Sequence, residues 1–337
     1  MASPIVQKSP VNLRLSRPMK VPAPYEFGLL QGHLEEASAI MQATWAHNVE
    51  RALEYTPEFL ASCLDYPGVE PHQSPAIYKD GKLLAFIMGL PRHIGLDGRK
   101  LKLLLPTLFT VSSEARSFGA VLWMEALRRG YEAGYDGTIH FCAVTNKSNE
   151  ITTSLSRLVG LKPQLVMSVN YLMGLPPAVP QPVSPAEAAS EEFCDAFLHH
   201  AKQVRSPAAR LWTSEEARWQ SETRTGSVRA SFRGDPRRGL ITGYIQNIAD
   251  AKRTSCLLIE DIFWGALHQP ERVELLRQFM ARAQAAKIAV VPQLGYADMS
   301  PFIELGFRPS PRKMNLYLTL WAEGAPDSLE SVYVDVF

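Results

Sequence analysis

A repeated order of helices and strands is the feature that most limits how this 337-residue chain folds. Residues 159–163 read VGLKP and residues 305–309 read LGFRP, so a hydrophobic–Gly–hydrophobic–basic–Pro turn occurs twice. Hydrophobic periodicity places two helices, three strands, a helix and a further strand before each turn. The sequence therefore predicts an α/β protein made of two tandem units, each a central mixed β-sheet flanked by helices.

Two segments that have neither helical nor strand periodicity mark the ends of these units. Five prolines lie within residues 176–186, which predicts a stiff linker. Residues 1–24 are polar and contain scattered prolines, which predicts a flexible N-terminal arm. The expected domains are therefore residues 25–175 and residues 187–337.

Residues 101–119 (LKLLLPTLFTVSSEARSFG) predict a strand, a tight turn containing glycine and the start of an amphipathic helix. The first N–H groups of a helix have no partner within the helix, and its dipole favours an anion there. Arg116 adds a positive charge. The turn lacks both the Gly-Lys-Ser/Thr ending of a mononucleotide loop and the three glycines of a dinucleotide loop.

Residues 116–121 (RSFGAV) resemble the coenzyme A pyrophosphate loop of the GNAT N-acetyltransferase superfamily, Gln/Arg-x-x-Gly-x-Gly/Ala. Four positions fit, and Val121 stands where the family prefers Gly or Ala. A strand, Asn149, a short helix and Gly160 follow in the family's order. The whole chain is similar to the tandem members of this superfamily, of which mycothiol synthase is one.

The resemblance implies an N-acyltransferase that moves an acyl group from acetyl-CoA or another acyl-CoA directly to a small-molecule amine. In the family, pantetheine pairs with the strand before the loop, backbone N–H groups bind the pyrophosphate, and an Asn lines the pocket. The residues carried over for coenzyme binding are Phe109, Thr110, Val111, Arg116, Ser117, Phe118, Gly119, Ala120, Val121 and Asn149.

The second unit has no such loop. Residues 264–270 (WGALHQP) contain no Arg-x-x-Gly step, and the next helix begins with Glu271 and Glu274, which would repel a pyrophosphate. We expect this unit to be a degenerate copy that helps to build the acceptor site or an interface.

Three residues, His140, Glu260 and Ser156, are candidates for proton transfer. His140 lies in a strand and titrates near neutrality, although a backbone partner would equally explain it. Glu260 and Asp261 interrupt an apolar strand on what alternation predicts to be opposite faces, and a buried carboxylate has either an ionic partner or a catalytic role. The resemblance adds Ser156, which stands where the family often has a Tyr acid four residues before Gly160.

Departures from the family pattern keep other functions open. The strand before the loop carries Lys100, Lys102 and leucines but no carboxylate base, and the Tyr is absent. The alternatives are a non-catalytic acyl-CoA-binding protein of this fold, or an enzyme acting on a thioester as a decarboxylase or S-acyltransferase.

Composition limits partners and compartment. A net charge of +1 gives no support for a nucleic-acid or membrane-surface partner. The four cysteines are far apart and form no C-x-x-C pair, so we expect reduced thiols and no metal site. No apolar leader or membrane-spanning run is seen. We expect a cytoplasmic protein that is a monomer or a homodimer.

Overall fold

The computed structural model describes residues 15, 17–45, 53–144, 148–175, 188–249, 252–283, 286–322 and 324–335. The predicted linker and most of the predicted N-terminal arm lie outside these ranges. None of the helices within them combines the length and apolar character needed to cross a membrane.

The first unit has the predicted order of elements. They are β1 (Tyr25–Leu29), α1 (Leu34–Trp45), α2 (Pro57–Leu64), β2 (Pro75–Lys79), β3 (Lys82–Leu96), β4 (Arg99–Val111), α3 (Gly119–Glu132), β5 (Gly137–Ala143), α4 (Ser148–Leu158) and β6 (Gln164–Gly174).

The second unit has a similar order, without a counterpart of β1 and with a short strand between its first two helices. Its elements are α5 (Ser190–Gln203), β7 (Ala208–Arg210), α6 (Ser214–Arg218), β8 (Ser227–Phe232), β9 (Asp235–Asn247), β10 (Ser255–Phe263), α7 (Gln269–Arg282), β11 (Ile288–Gln293), α8 (Ser300–Glu304), β12 (Arg308–Leu320) and β13 (Val332–Tyr333).

Local sequence explains several of these boundaries. The Asp80-Gly81 pair turns between β2 and β3 with φ of 51° and 78°, the left-handed conformation that a tight hairpin needs. Thr56 caps α2 by accepting a hydrogen bond from Phe59 N at 3.3 Å. Thr213 begins α6 in a capping box with Glu216.

The two units share one sheet because the first contributes β6 to the second and the second contributes β12 to the first. The strand order is β1-β2-β3-β4-β5-β12-β6-β11-β10-β9-β8. Strand β12 of the second unit pairs with β5 of the first, and β6 of the first pairs with β11 of the second. This exchange joins two sheets into one; the division into domains at 25–175 and 187–337 stays a prediction.

Helices cover both faces of the sheet. On β3, Ile87 packs beneath α3, whereas its neighbours Phe86 and Met88 pack beneath α1 and α2, as alternation along a strand requires. Helix α2 also reaches the second unit, where the ring of Phe59 stacks on Tyr244 of β9 with centroids 6.0 Å apart. In the second unit α7 and α8 cover one face.

A buried ionic cluster ties the chain's last described residues to the first unit. Asp335 pairs with Arg92 of β3 at 2.7 Å and also with Arg210 of β7. Arg210 in turn bonds Glu216 at 3.2 Å. Burial raises the pKa of Asp335, but Arg210 and Arg92 outweigh burial and hold it below its usual value.

Gly137 of β5 lies so close to the backbone of β12 that we expect a larger side chain there to destabilise the protein. A Cβ at Gly137 would lie 2.2 Å from the backbone oxygen of Thr319 on β12. Because that oxygen cannot move without separating the strands, Gly137→Ala should lower the free energy of unfolding by about 1–3 kcal/mol, as overpacking does elsewhere. Urea denaturation followed by circular dichroism measures this loss.

Gly95→Ala is the matched control, because it is also a strand position and its Cβ would lie 3.4 Å from Leu211 Cδ2. It should unfold close to wild type. Equal losses in the two variants would contradict the pairing of β5 with β12.

Candidate functional site

Strands β4 and β5 form a fork in the middle of the first unit. They pair in parallel at only two positions, Leu103 with Gly137 and Leu104 with Thr138, and then separate. A bulge shifts the register of β4 against β3 in the separated part, where Leu108 has φ of 54°. Unpaired strand edges that face each other can accept an extended ligand by backbone hydrogen bonds.

The start of α3 lies against this fork. A short 3₁₀ turn, Arg116–Phe118, leads into the helix at Gly119. No side chain caps the helix at Phe118, and its first turn has no acidic residue. Arg116 and Ser117 are exposed. The predicted anion site therefore has an uncapped helix start beside a free cation, within the described part of the chain.

Gly119 has an ordinary helical conformation with φ of −54°. A Cβ there would lie 3.5 Å from Val111 Cγ2 and 3.6 Å from Phe109 Cζ, which are normal contact distances. The glycine is therefore not required by backbone strain. Because it has no side chain, no atoms project from the helix start toward the two half-buried side chains of β4.

The other residues predicted to bind coenzyme are placed around the same junction. Thr110 is buried and donates a hydrogen bond to Leu108 O at 2.9 Å. Ala120 and Val121 are half-buried in the first turn of α3. Asn149 lies in α4, and its side chain is outside the described part of the structure.

The second unit has the same fork, but a side chain closes it. Strands β10 and β11 pair in parallel at three positions, after which a bulge interrupts β10 between Ile259 and Ile262. The Tyr296 hydroxyl donates to Glu260 O at 2.9 Å and accepts from Ile262 N at 3.1 Å. It takes up backbone groups that a bound strand would otherwise use.

The start of α7 is closed as well. Glu271 accepts a hydrogen bond from His268 N at 3.0 Å and pairs with Arg238 at 2.6 Å. The carboxylate thus occupies the position where an anion would bind at α3. This geometry agrees with the expectation that Glu271 disfavours a pyrophosphate.

His140 is buried between two rings. Its centroid lies 5.4 Å from that of Trp123 and 5.4 Å from that of Tyr317. Neither ring nitrogen has a hydrogen-bond partner among the described residues, so the backbone partner considered from the sequence is not found there. Burial lowers the pKa of His140 to about 4, so the ring is neutral and weakly basic at physiological pH.

Ser156 joins two helices. Its hydroxyl donates to Thr152 O at 2.8 Å and accepts from Trp123 Nε1 at 3.3 Å. The side chain is buried, and its proton is already donated. These contacts hold α4 against α3.

Glu260 and Asp261 do not lie on opposite faces, and that prediction was wrong. Because both residues are in the bulge of β10, strict alternation fails, and both carboxylates reach Gln220 Nε2, at 2.5 Å and 3.0 Å. Asp261 also accepts hydrogen bonds from Thr242 and Tyr333.

Glu260 is held by a buried cation. Its Oε2 lies 2.6 Å from Arg224 Nη1. Burial raises the pKa of Glu260 to about 7, with Arg224 opposing the rise and Asp261 adding to it. A carboxyl group with such a pKa can exchange a proton near neutrality.

A cavity of about 410 Å³ lies beside Glu260. It is lined by strands of both units, β6, β10, β11 and β12, together with Leu53 and Ile248. Strand exchange creates this cavity, and the order of elements along the chain carries no signal for the exchange.

No protein-family model and no curated protein sequence matches this chain. Solved structures do. A Saccharomyces cerevisiae N-myristoyltransferase, solved with myristoyl-CoA and inhibitors, is 14% identical with a TM-score of 0.70, over 94% of this chain and 84% of the other. A GCN5-related N-acetyltransferase from Anabaena variabilis is 13% identical with a TM-score of 0.52, over 87% and 72%. These likenesses confirm the predicted GNAT-like fold.

The closure of the second fork predicts the effect of removing one oxygen. Tyr296→Phe leaves Glu260 O and Ile262 N without their hydrogen-bond partner, and a buried polar group left unsatisfied costs about 1–3 kcal/mol. The free energy of unfolding from urea denaturation should fall by this amount.

Tyr317→Phe is the control, because it removes a hydroxyl from the half-buried ring that stacks on His140. It should change stability by less than about 0.5 kcal/mol. A Tyr296→Phe protein as stable as wild type would contradict the closure.

Proposed function

We propose that this chain is an acyl-CoA-dependent N-acyltransferase with one coenzyme site, in the fork between β4 and β5. The observation that carries the proposal is the difference between the two forks. The first has an uncapped helix start with Arg116 beside it, whereas Tyr296 and Glu271 close the second. One chain thus keeps the same architecture twice and leaves one copy open to an anionic, extended ligand.

The similar structures support this choice of ligand. One was solved with myristoyl-CoA bound and another is described as an N-acetyltransferase, so both relate the fold to acyl-CoA chemistry. In this chain, backbone groups of Phe109 and Val111 would pair with pantetheine, and the first N–H groups of α3 would bind the pyrophosphate. Acetyl-CoA and longer acyl-CoAs share these parts.

Transfer to an amine needs a group that removes one proton from the ammonium. Of the three candidates, Glu260 fits best, because its pKa is about 7, whereas His140 is too weak a base and Ser156 is committed to Thr152 O. Glu260 takes the proton, the amine nitrogen attacks the thioester carbonyl, and the C–S bond breaks. The second amine proton passes to the thiolate, which leaves as coenzyme A.

The acceptor of this proposal is a small molecule, because the cavity beside Glu260 has the volume of a small-molecule site and is mostly apolar.

Coenzyme binding is tested at the start of α3. Gly119→Glu places a carboxylate at the proposed pyrophosphate site, and we expect acyl-CoA affinity measured by isothermal titration to fall about a hundredfold, since like charges in contact cost several kcal/mol. Gly119→Ala is the control and should bind like wild type, because its Cβ makes ordinary contacts. Wild-type protein that binds no acyl-CoA would end the proposal.

The pH dependence of transfer tests the base. Glu260 must be ionised to accept a proton, so kcat/KM should rise as pH increases through about 7 and then level off. Glu260→Gln should remove this step and lower kcat by about a hundredfold or more. A rise near pH 4 instead would identify His140 as the base, because its pKa is about 4.

Free thiol released without amine would indicate thioester hydrolysis or decarboxylation.

A further inference from the structure

The cavity between the two units is mostly apolar and has two charged lining residues. Most of its wall consists of side chains such as Met173, Leu258 and Val290, and its charged lining residues are Glu260 and Arg312. Arg312 is exposed to solvent, so water compensates its charge. Glu260 is 6% exposed and lacks that compensation.

Glu260 also has an unused acceptor. Its Oε2 receives hydrogen bonds from Arg224 and Gln220, whereas its Oε1 has no hydrogen-bond partner among the described residues. A buried carboxylate oxygen without a donor is costly, and native structures leave few such atoms unless a ligand or water completes them.

The surrounding network has more negative than positive groups. Its buried cations are three, Arg92, Arg210 and Arg224, and its buried carboxyl groups are four, Glu216, Glu260, Asp261 and Asp335. The two halves of this network are close enough that the charge of Asp335 raises the pKa of Glu260. One carboxylate is therefore uncompensated when all seven groups are ionised, and of the four only Glu260 lines the cavity.

We propose that this cavity binds the acceptor, a primary amine with an apolar body, whose ammonium group bonds the carboxylate of Glu260. The binding site is inferred from the cavity and its charge; its role as acceptor site rests on the proposed acyl transfer. An ammonium group supplies both the missing donor and the missing positive charge, while the apolar body covers the remaining wall. An alcohol would bring no charge, and a fatty acid would bring a second carboxylate to the same place.

The wall of the cavity continues toward the open fork of the first unit. Tyr171 and Met314 line the cavity and also belong to the core cluster that contains Leu105 of β4 and Ile139 of β5, the strands of the open fork. Cavity and fork therefore share one continuous side-chain layer on one face of the sheet.

Three probes of equal chain length test the ligand class: octylamine, 1-octanol and octanoate. Each is titrated calorimetrically into the full chain without coenzyme, in slightly alkaline buffer. We expect octylamine to bind about tenfold or more tighter than 1-octanol, the range of a hydrogen bond to a charged group. Glu260→Gln should bring octylamine down to the affinity of 1-octanol.

Asp261→Asn is the matched control, because it removes the neighbouring carboxylate of the same network, and Asp261 is not among the residues that line the cavity. It should weaken the preference for octylamine less than Glu260→Gln does, because it lowers the charge of the network but leaves the Glu260 carboxylate in place. Val290→Trp should fill the cavity and abolish binding of all three probes, with circular dichroism reporting whether the fold is retained.

Equal binding of octylamine and 1-octanol to the wild type, stronger binding of octanoate, or no binding of any probe would each overturn the proposal. A preference for octylamine that survives in Glu260→Gln would do the same. Titration of acyl-CoA separates the two proposals. If octylamine binds and acyl-CoA does not, the amine site stands and the proposed transferase function is wrong. If acyl-CoA binds and octylamine does not, only the amine site is wrong.

Discussion

The pairing of β12 with β5 and of β6 with β11 is the constraint on which the rest of the structure depends. Strand β12 of the second unit fills the gap beside β5, and β6 of the first unit fills the gap beside β11, so backbone hydrogen bonds run through the whole sheet. Neither unit completes its sheet alone. The cavity beside Glu260 is a product of the same exchange, since β6 and β12 form part of its wall.

Within this sheet the two forks show how one architecture acquires different chemistry. Parallel strands separate at both places, and a bulge lies in the separated part of β4 and of β10. The difference lies in single side chains. Glu271 supplies its own carboxylate to the start of α7, and Tyr296 uses the backbone groups of β10, while the start of α3 keeps its N–H groups and the nearby cation Arg116. In the proposed function, coenzyme binds in the fork that is left open.

Local chemistry was sufficient to predict the elements, because hairpins, caps and periodicity depend on neighbours in sequence. The Asp80-Gly81 turn and the Thr213 capping box each involve residues at most three positions apart, and the order of strands and helices formed as predicted. From the sequence, Glu260 was predicted to have either an ionic partner or a catalytic role, because it interrupts an apolar strand. Its partner Arg224, the bulge that brings Asp261 to the same amide, and the cavity are long-range results that periodicity does not encode. The low pKa of His140 has the same origin, since the residues that bury it include Trp123 of α3 and Tyr317 of β12.

The central claim is that one fork binds coenzyme and the other does not. A crystal structure of the protein with coenzyme A tests it directly. The account predicts one molecule per chain, with its pyrophosphate at the N–H groups of Ala120 and Val121 and with Tyr296 still bonded to Glu260 O. A pyrophosphate at the start of α7, or coenzyme between β10 and β11 with Tyr296 displaced, would contradict it.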